Sequence, residues 1–215
     1  MSDFGTMKTR IGNETLRTDT VSLGFIGDEI VSAIAHYENQ PFQFNETRAT
    51  ASTVADTAYI ALPTDFIDLV HMKVELNGSN YQMYSCDFEE IEDMDTGTYT
   101  GQPSQYAIYD QQFRLYPVPD TVYTLTLAYI KELGSLSADT DTNAWMTTGE
   151  ELIRQRASAA FKVNYLQDAM AKQEQEKFAM MGKPFLSNME ASAYNALRKK
   201  ASKYVSSGYN KATQF

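Results

Sequence analysis

The segment QYAIYDQQFRLYPVPDTVYTLTLAYIK, residues 105–131, decides the fold because apolar and polar side chains alternate along it at the period of a β-strand. The alternation is clearest over residues 122–131. Side chains two residues apart lie on the same face of a strand. One face of this strand therefore carries Tyr123, Leu125, Leu127 and Tyr129. Two shorter strands are predicted just before it, at residues 105–109 and 113–116, so the segment indicates an antiparallel sheet with one buried face.

The strand-like period extends upstream to about residue 46 through segments rich in β-branched and aromatic residues. The further strands predicted there are residues 47–54, 59–62, 69–76 and 81–84. Asn77 and Gly78 predict a tight hairpin turn because both residues tolerate a positive φ. Apolar residues spaced by three over 88–94 predict one short helix inside this region.

Before residue 46 the period is helical. Phe4, Met7 and Ile11 predict a first amphipathic helix over about residues 4–17. A second helix is predicted to begin with Ser22 as its N-cap and to end near residue 39, because Pro41 disfavours helical geometry in the residue before it.

The helical period returns at Thr148, which forms a predicted capping box with Glu151. The apolar positions of the predicted helix that follows are Leu152, Ala159, Val163, Leu166 and Met170. A break is predicted at Gly182-Lys183-Pro184. The apolar positions of a last helix, ending near residue 205, are Leu186, Met189, Ala193, Leu197 and Tyr204.

These periods predict an α+β fold, in which N- and C-terminal helices form a bundle and an antiparallel β module, a sandwich or a small barrel, is inserted between them. The predicted domains are residues 1–45 (N-terminal helices), 46–147 (β module), 148–205 (C-terminal helices) and 206–215 (a flexible tail).

Composition excludes several classes of protein. An apolar fraction of 43% and a charged fraction of 21% are typical of a folded protein. The net charge of −10 argues against a protein that grips nucleic acid by neutralising phosphates. One cysteine, Cys86, can form neither an internal disulfide nor a structural zinc site. No signal-peptide pattern or long apolar segment is present, so we expect synthesis in the cytoplasm and no membrane contact.

Residues that could perform catalysis are sparse. His36 and His71 lie in segments of different type, and Cys86 has no basic neighbour. The sequence contains no phosphate-binding glycine loop, no Gly-x-Ser-x-Gly elbow and no His-Glu-x-x-His motif. The chain is therefore predicted not to be an enzyme and to use no cofactor.

Two acidic patterns could suggest a cation site. The first is an acidic run, interpreted as the solvated face of the short helix, that contains Asp87, Glu89, Glu90, Glu92, Asp93 and Asp95. The second places Asp139, Asp141, Asn143 and Glu150 at positions of an EF-hand loop. Ala144 occupies the position that needs glycine, so we interpret this loop as Asx turns and predict no metal site.

The order of several motifs resembles the phage head–tail adaptor family. The motifs are AIAHYENQPFQFNE (33–46), YIALPTDFIDL (59–69), PSQYAIYDQQFRLYPVPDTVYTLTLAYIKELGSLS (103–137) and DTNAWM (141–146). A long helical C-terminus follows them, as in that family. The resemblance extends over residues 20–205.

The resemblance implies a structural subunit of the virion at the head–tail junction, made in the host cytoplasm. It implies a ring, usually of twelve copies, that lies beneath the portal protein, surrounds the DNA exit channel and receives a tail or nozzle protein. An acidic wall would let double-stranded DNA pass without binding it. The alternative is another virion structural protein, such as a tail completion or receptor-binding module.

Basic residues are concentrated near the C-terminus of this acidic chain. One interpretation requires no binding partner: basic residues near the C-terminus of a helix interact favourably with the negative end of the helix dipole. Alternatively, the basic segment and its aromatic tail could dock into a groove on a partner, and related adaptors extend this part of the chain onto the portal. The predicted portal-binding residues are Arg198, Lys199, Lys200, Lys203, Tyr204, Tyr209, Lys211 and Phe215.

Overall fold

A computed structural model describes residues 2–97 and 99–209 of the protein, with side chains up to Arg198. The chain forms two compact units, a helical unit within Met1–Asn45 and Leu133–Phe215 and a β unit, Glu46–Glu132. The predicted α+β fold, helical at both ends with a β module inserted, is confirmed. None of the described helices is long and apolar enough to cross a membrane.

The elements of the described residues have the following bounds. They are α1 (Phe4–Thr15), α2 (Thr20–Tyr37), β1 (Glu46–Ser52), β2 (Tyr59–Ala61), β3 (Phe66–Leu76), β4 (Ser79–Gln82), β5 (Tyr84–Ser85), α3 (Phe88–Met94), β6 (Gln105–Tyr109), β7 (Gln112–Tyr116), β8 (Thr124–Lys131), α4 (Ala144–Thr147), α5 (Glu150–Asn164), α6 (Ala169–Met180) and α7 (Asn188–Tyr209).

Two predicted helix caps are wrong. Helix α2 begins one turn earlier than predicted, because the Asp19 carboxylate accepts a hydrogen bond of 2.9 Å from the backbone N–H of Ser22. Thr148 has helical backbone angles, which an N-cap residue does not adopt, and it ends α4, since its N–H donates to the carbonyl oxygen of Ala144. The helix that follows, α5, has Gly149 at its N-cap position and no side-chain cap bond. Asn143 instead caps the preceding helix, α4, since its side-chain oxygen accepts from the N–H groups of Trp145 and Met146.

The long helix predicted to begin at Thr148 is divided in the structure. Helix α5 ends at Asn164, Gln167 adopts a left-handed conformation with φ 54°, and the Asp168 carboxylate caps α6. The helical period of α5 therefore does not extend into α6, and Met170 is 81% exposed rather than buried. Met189 is also wrongly assigned to an apolar face, because it is 64% exposed.

One buried cluster forms the core of the helical unit. It combines apolar side chains of α1, α2, α4 and α5 with Phe42 and Leu136 from the adjoining loops. Trp145, fully buried, meets the rings of Phe42 and Phe44 edge-on at centroid distances of 5.5 and 4.8 Å. Tyr194 of α7 packs against this cluster, so the first half of α7 belongs to the same core.

Two four-stranded sheets enclose the core of the β unit. Their strand orders are β1-β8-β3-β4 and β2-β7-β6-β5. The predicted alternation over residues 122–131 is confirmed, since Tyr123, Leu125, Leu127 and Tyr129 are all buried in this core. Neighbouring strands are antiparallel except β5 and β6, which are parallel. The two sheets share one core in the described residues, and no closed barrel is found there.

The predicted hairpin turn is present, but its second strand differs from the prediction. Asn77 and Gly78 have φ values of 52° and 78°, and β4 begins immediately after them, at Ser79. The chain then leaves the first sheet at Met83, and Tyr84 begins β5 in the second sheet. The predicted strand 81–84 therefore combined parts of two strands.

The helical unit begins again at Leu133, earlier than residue 147, where the sequence placed the end of the β module. The reason is packing, since Leu136 and Trp145 contribute to the helical core. At the C-terminus, α7 continues to Tyr209, beyond the predicted start of a flexible tail at residue 206. Residues 210–215 lie outside the described residues.

Candidate docking site at the C-terminal helix

The predicted portal-binding residues lie in the second half of α7 and beyond it. Exposed Arg198 extends toward the end of α2, where its Nη1 donates a hydrogen bond of 2.7 Å to the carbonyl oxygen of Pro41. Only the backbone, which is helical, is described for Lys199, Lys200, Lys203, Tyr204 and Tyr209. Lys211 and Phe215 lie outside the described residues. The structure therefore places the basic segment on a helix whose first half is fixed.

A buried carboxylate, Glu190, fixes the first turn of α7. Its side chain has no exposed surface, and one oxygen accepts hydrogen bonds from the Tyr37 hydroxyl at 2.5 Å and from Arg156 at 2.7 Å. The other oxygen accepts from the backbone N–H of Leu186 at 2.5 Å. Three groups thus neutralise or solvate a charge that would otherwise be costly to bury. They come from α2, α5 and the loop before α7.

The environment of this cluster shifts the pKa of two neighbouring groups. Burial, followed by the hydrogen bond to Glu190, raises the pKa of the Tyr37 hydroxyl. Burial lowers the pKa of His36, and the positive charge of Arg156 lowers it further. The Nε2 atom of His36 is buried without a hydrogen-bond partner among the described residues. Both groups are therefore held in their neutral forms at neutral pH.

Glu190 and its partners Tyr37 and Arg156 form an anchor for α7. Aromatic and polar contacts extend this anchor along the start of the helix. Tyr194 stacks on Tyr37 with ring centroids 5.9 Å apart, and it meets Phe185 at 5.3 Å. The backbone N–H of Asn188 donates a hydrogen bond of 2.9 Å to Glu174 of α6. Together with Arg198, these contacts hold α7 against α2, α5 and α6 over its first half.

Sequence reasoning missed this anchor. The sequence contained one signal for it, a carboxylate at the spacing of the apolar residues of the last helix. Glu190 follows Leu186 by four residues and precedes Ala193 by three. A carboxylate at that spacing lies on the apolar face of the helix. Such a position requires a buried partner, although the sequence does not say which arginine supplies it.

The acidic run of the β unit is partly engaged rather than wholly solvated. Arg114, whose side chain is 4% exposed, donates a hydrogen bond of 2.8 Å from Nε to Glu92 and another to Asp95. Burial alone lowers the pKa of Arg114, but the bonds to Glu92 and Asp95 outweigh it and the pKa is raised. The interpretation as a wet helix face is therefore corrected for Glu92 and Asp95, which join α3 to β7.

The residues at the EF-hand spacing serve turns, caps and ion pairs. Asp141 accepts hydrogen bonds from the N–H groups of Ser137 and Ala138, which precede it in the chain. Asn143 forms an Asx turn that caps α4, since its side-chain oxygen accepts from the N–H of Trp145, two residues later. Asp139 pairs with Lys8, and Glu150 pairs with Arg10 at 2.7 Å. No group of three or more potential metal ligands occurs within the described residues.

One cavity lies beside the anchor, between α2, α5 and α6. Its volume is about 190 Å³, below the roughly 300 Å³ at which ligand pockets begin. Its charged lining groups are engaged, since Glu29 accepts from Asn164 at 2.7 Å and Arg156 donates to Glu190. The cavity has room for waters. Its geometry offers no nucleophile paired with a base.

A comparison with protein-family models identifies the chain. The model of the SU10 adaptor protein family matches residues 2–201, which include the whole β unit and the helical unit up to the middle of α7. A search of curated proteins finds no match. Members of the matched family are phage structural adaptors, components of the virion, and the family is not a known enzyme family. The chain therefore belongs to the SU10 adaptor protein family.

Proposed function

We propose that this protein is a head–tail adaptor, a subunit of a ring that binds the portal, extends the DNA exit channel and receives the tail or nozzle. The observation that carries the proposal is the family match over residues 2–201. Within that span the functional groups of the described residues build a scaffold of caps, ion pairs and cores. A scaffold of this kind suits a protein whose task is to join other proteins.

The C-terminal helix is the proposed portal contact. Its first half is held in place by the contacts of Glu190 and Arg198. Its second half therefore extends from a base that is fixed in position. A binding element on a fixed base loses less entropy on docking than a free segment does. Lys199, Lys200 and Lys203 give this half of the helix a local positive charge in a chain with a net charge of −10. We propose that an acidic groove on the portal receives it.

Co-sedimentation with the purified portal of the same phage tests this contact. A variant with Lys199→Gln, Lys200→Gln and Lys203→Gln should bind the portal at least ten times more weakly than the unchanged chain. The matched control carries Lys172→Gln, Lys177→Gln and Lys183→Gln, which remove the same charge from α6 and the loop after it. Equal binding by both variants would refute the proposed contact, and failure of the unchanged chain to bind any portal or tail component would refute the adaptor function.

The proposed channel wall repels DNA rather than binding it. A net charge of −10 makes binding to phosphates unfavourable, and DNA passing through a channel must not be held. In an electrophoretic shift assay at low salt, the assembled ring should leave linear double-stranded DNA unshifted. A salt-sensitive shift at low protein concentration would contradict a repelling wall.

A further inference from the structure

Within residues 2–97 and 99–209, the first sheet of the β unit has two unpaired edges. In the order β1-β8-β3-β4, strand β1 forms one edge and β4 the other. Strand β1 has seven residues, all in register with β8, and contains neither a proline nor a bulge. Edge strands in natural proteins are normally shortened, bulged or blocked by proline, because a regular edge is a template for another strand. The β1 edge has none of these three protections, and its charged side chains, Glu46 and Arg48, lie at its N-terminal end, away from Thr50 and Ser52.

The hydrogen bonds of the sheet identify the free backbone groups of β1. The N–H of Thr53 donates to the carbonyl of Tyr123 at 2.9 Å, which makes these two residues a hydrogen-bonded pair. Bonded and non-bonded pairs alternate along an antiparallel ladder. The odd-numbered residues of β1 therefore bond to β8. The backbone N–H and C=O groups that point to the open edge belong to Glu46, Arg48, Thr50 and Ser52.

The same reasoning applies to β4. The N–H of Met83 donates to the carbonyl of Met72 at 3.0 Å, so Tyr81 and Ser79 also bond toward β3. The groups that point to the open edge of β4 are then those of Asn80 and Gln82. Both edges thus present the same type of unsatisfied ladder.

Strand direction allows these two edges to join between copies. The sheet has four strands, and each is antiparallel to its neighbour, so β4 runs opposite to β1. When a second copy is placed beside the first in the same orientation, its β1 lies antiparallel to β4. The antiparallel order then continues across the junction without a break. An isologous pairing of β1 with β1 would instead close a dimer.

The side chains at the two edges differ in size in a complementary way. Tyr81 lies opposite Val74 on the core-side face of β4 and is 51% exposed. On the core-side face of β1 the corresponding residues are small, Ala49 and Ala51. One row of paired residues crosses the sheet from edge to edge. Thr50 of β1 pairs with Thr126, Thr126 pairs with Lys73, and Lys73 pairs with Gln82 of β4. In the register that continues this row, Tyr81 lies directly opposite Ala51 of the next copy and covers it.

We propose that copies of this chain associate head to tail by β-sheet addition, with the β4 edge of one copy paired with the β1 edge of the next. The proposal rests on the proposed ring function and specifies the contact that closes the ring. The partner is a second copy of the chain, and the contact combines backbone hydrogen bonds with the Tyr81–Ala51 pair.

Disulfide cross-linking tests the pairing. Opposed residues of a non-bonded pair have Cα atoms about 4.5 Å apart, which a disulfide can span. Within one copy, Ala51 and Tyr81 are three strand spacings apart, roughly 14 Å, so a bond between them must join two copies. The full chain carrying Ala51→Cys, Tyr81→Cys and Cys86→Ser is mixed with its portal, imaged for rings and oxidised. We expect a ladder of covalent trimers and larger species, which each single-cysteine variant lacks.

A backbone variant gives an independent measurement. Thr50→Pro removes one N–H from the open edge of β1 and no bond to β8, so the chain should fold and fail to form rings. Thr50→Val keeps that N–H and should form them.

Each result distinguishes the pairing from the adaptor function. Rings on the portal without a ladder would overturn the edge pairing and leave the function standing, as would rings formed by Thr50→Pro. Dimers from Ala51→Cys alone would show β1–β1 pairing and overturn the proposal. The absence of both rings and ladder would overturn both proposals.

Discussion

Each unit of the protein contains a buried ionic cluster, and the two clusters are built in opposite ways. In the helical unit the fully buried group is an acid, Glu190, and its partner Arg156 is 15% exposed. In the β unit the buried group is a base, Arg114, and its partner Glu92 is 45% exposed. Glu190 is bonded to Tyr37, 153 residues away in the sequence, whereas Glu92 lies 22 residues from Arg114.

The difference shows what each cluster does for its unit. The Glu190 cluster joins the two ends of the chain and sets the position of the C-terminal helix, the proposed portal contact. The Arg114 cluster joins α3 to the neighbouring strand β7 and affects a local part of the β unit. Loss of the first should therefore be costly and widespread, and loss of the second smaller and local.

The largest expected effect follows Arg156→Met, which leaves the Glu190 carboxylate buried without its cation. We expect a loss of about 3–5 kcal/mol in the free energy of unfolding. This loss is measured by urea denaturation, with tryptophan fluorescence as the signal. Trp145, the one tryptophan of the sequence, is buried in the helical unit and reports on its unfolding.

Two further variants make that result specific. Arg156→Met combined with Glu190→Gln should regain a large part of the loss, since no unpaired charge remains. Arg10→Met removes an ion pair whose arginine side chain is 51% exposed, and it should cost no more than about 1 kcal/mol. Equal losses for Arg10→Met and Arg156→Met would contradict the anchor role.

A smaller effect is expected for Arg114→Met. We expect a loss of about 2 kcal/mol. Glu92, 45% exposed, regains water when Arg114 is removed, and Asp95, 14% exposed, keeps its hydrogen bond from the N–H of Gly97. Hydrogen exchange should become faster in α3 and β7 and stay unchanged in the helical unit. The control is Arg48→Met, an exposed residue of β1. Unchanged exchange in α3 would show that the cluster does not hold this helix.

A third test compares two helix caps beside the helical core. Asn143→Ala removes the cap of α4 and should cost about 1 kcal/mol. Thr148→Ala removes the residue that sequence pattern predicted as a cap, and it should change stability by less than about 0.5 kcal/mol. The same urea experiment measures both. A larger loss for Thr148→Ala would restore the predicted capping box.

The smallest effect concerns pH. The folded state lowers the pKa of His36 below its ordinary value of 6.5, mainly through burial, so it favours the neutral ring. The stability that this preference provides is present above the unfolded pKa and is lost as the pH falls through the folded pKa. The urea midpoint should therefore decrease between pH 7.5 and 5.5, and His36→Gln should reduce that decrease. An unchanged pH dependence in this variant would assign the effect to other groups.

Much of the fold could be predicted from the sequence, because hydrophobic period is local information. The alternation over residues 122–131 and the hairpin at Asn77-Gly78 are examples. The caps were harder, since Asp19 and Ser22 are both good cap residues and local pattern does not choose between them. The course of the chain at Met83, where it changes sheets, depends on strand pairing distant in sequence.

The candidate site was predictable only in outline. Basic residues near the C-terminus were visible in the sequence, and their position on a helix agrees with the structure. The Glu190–Arg156–Tyr37 anchor was not found, because its members lie on three different helices, with Tyr37 153 residues and Arg156 34 residues from Glu190 in the sequence. Its single local signal was an acid on an apolar face.

Native mass spectrometry of the purified portal mixed with an excess of the chain tests the adaptor function most directly. The adaptor function predicts that the portal gains the mass of a full ring, twelve copies of 24.2 kDa for a twelvefold portal, in one cooperative step. A portal mass that stays unchanged over the whole titration would contradict it.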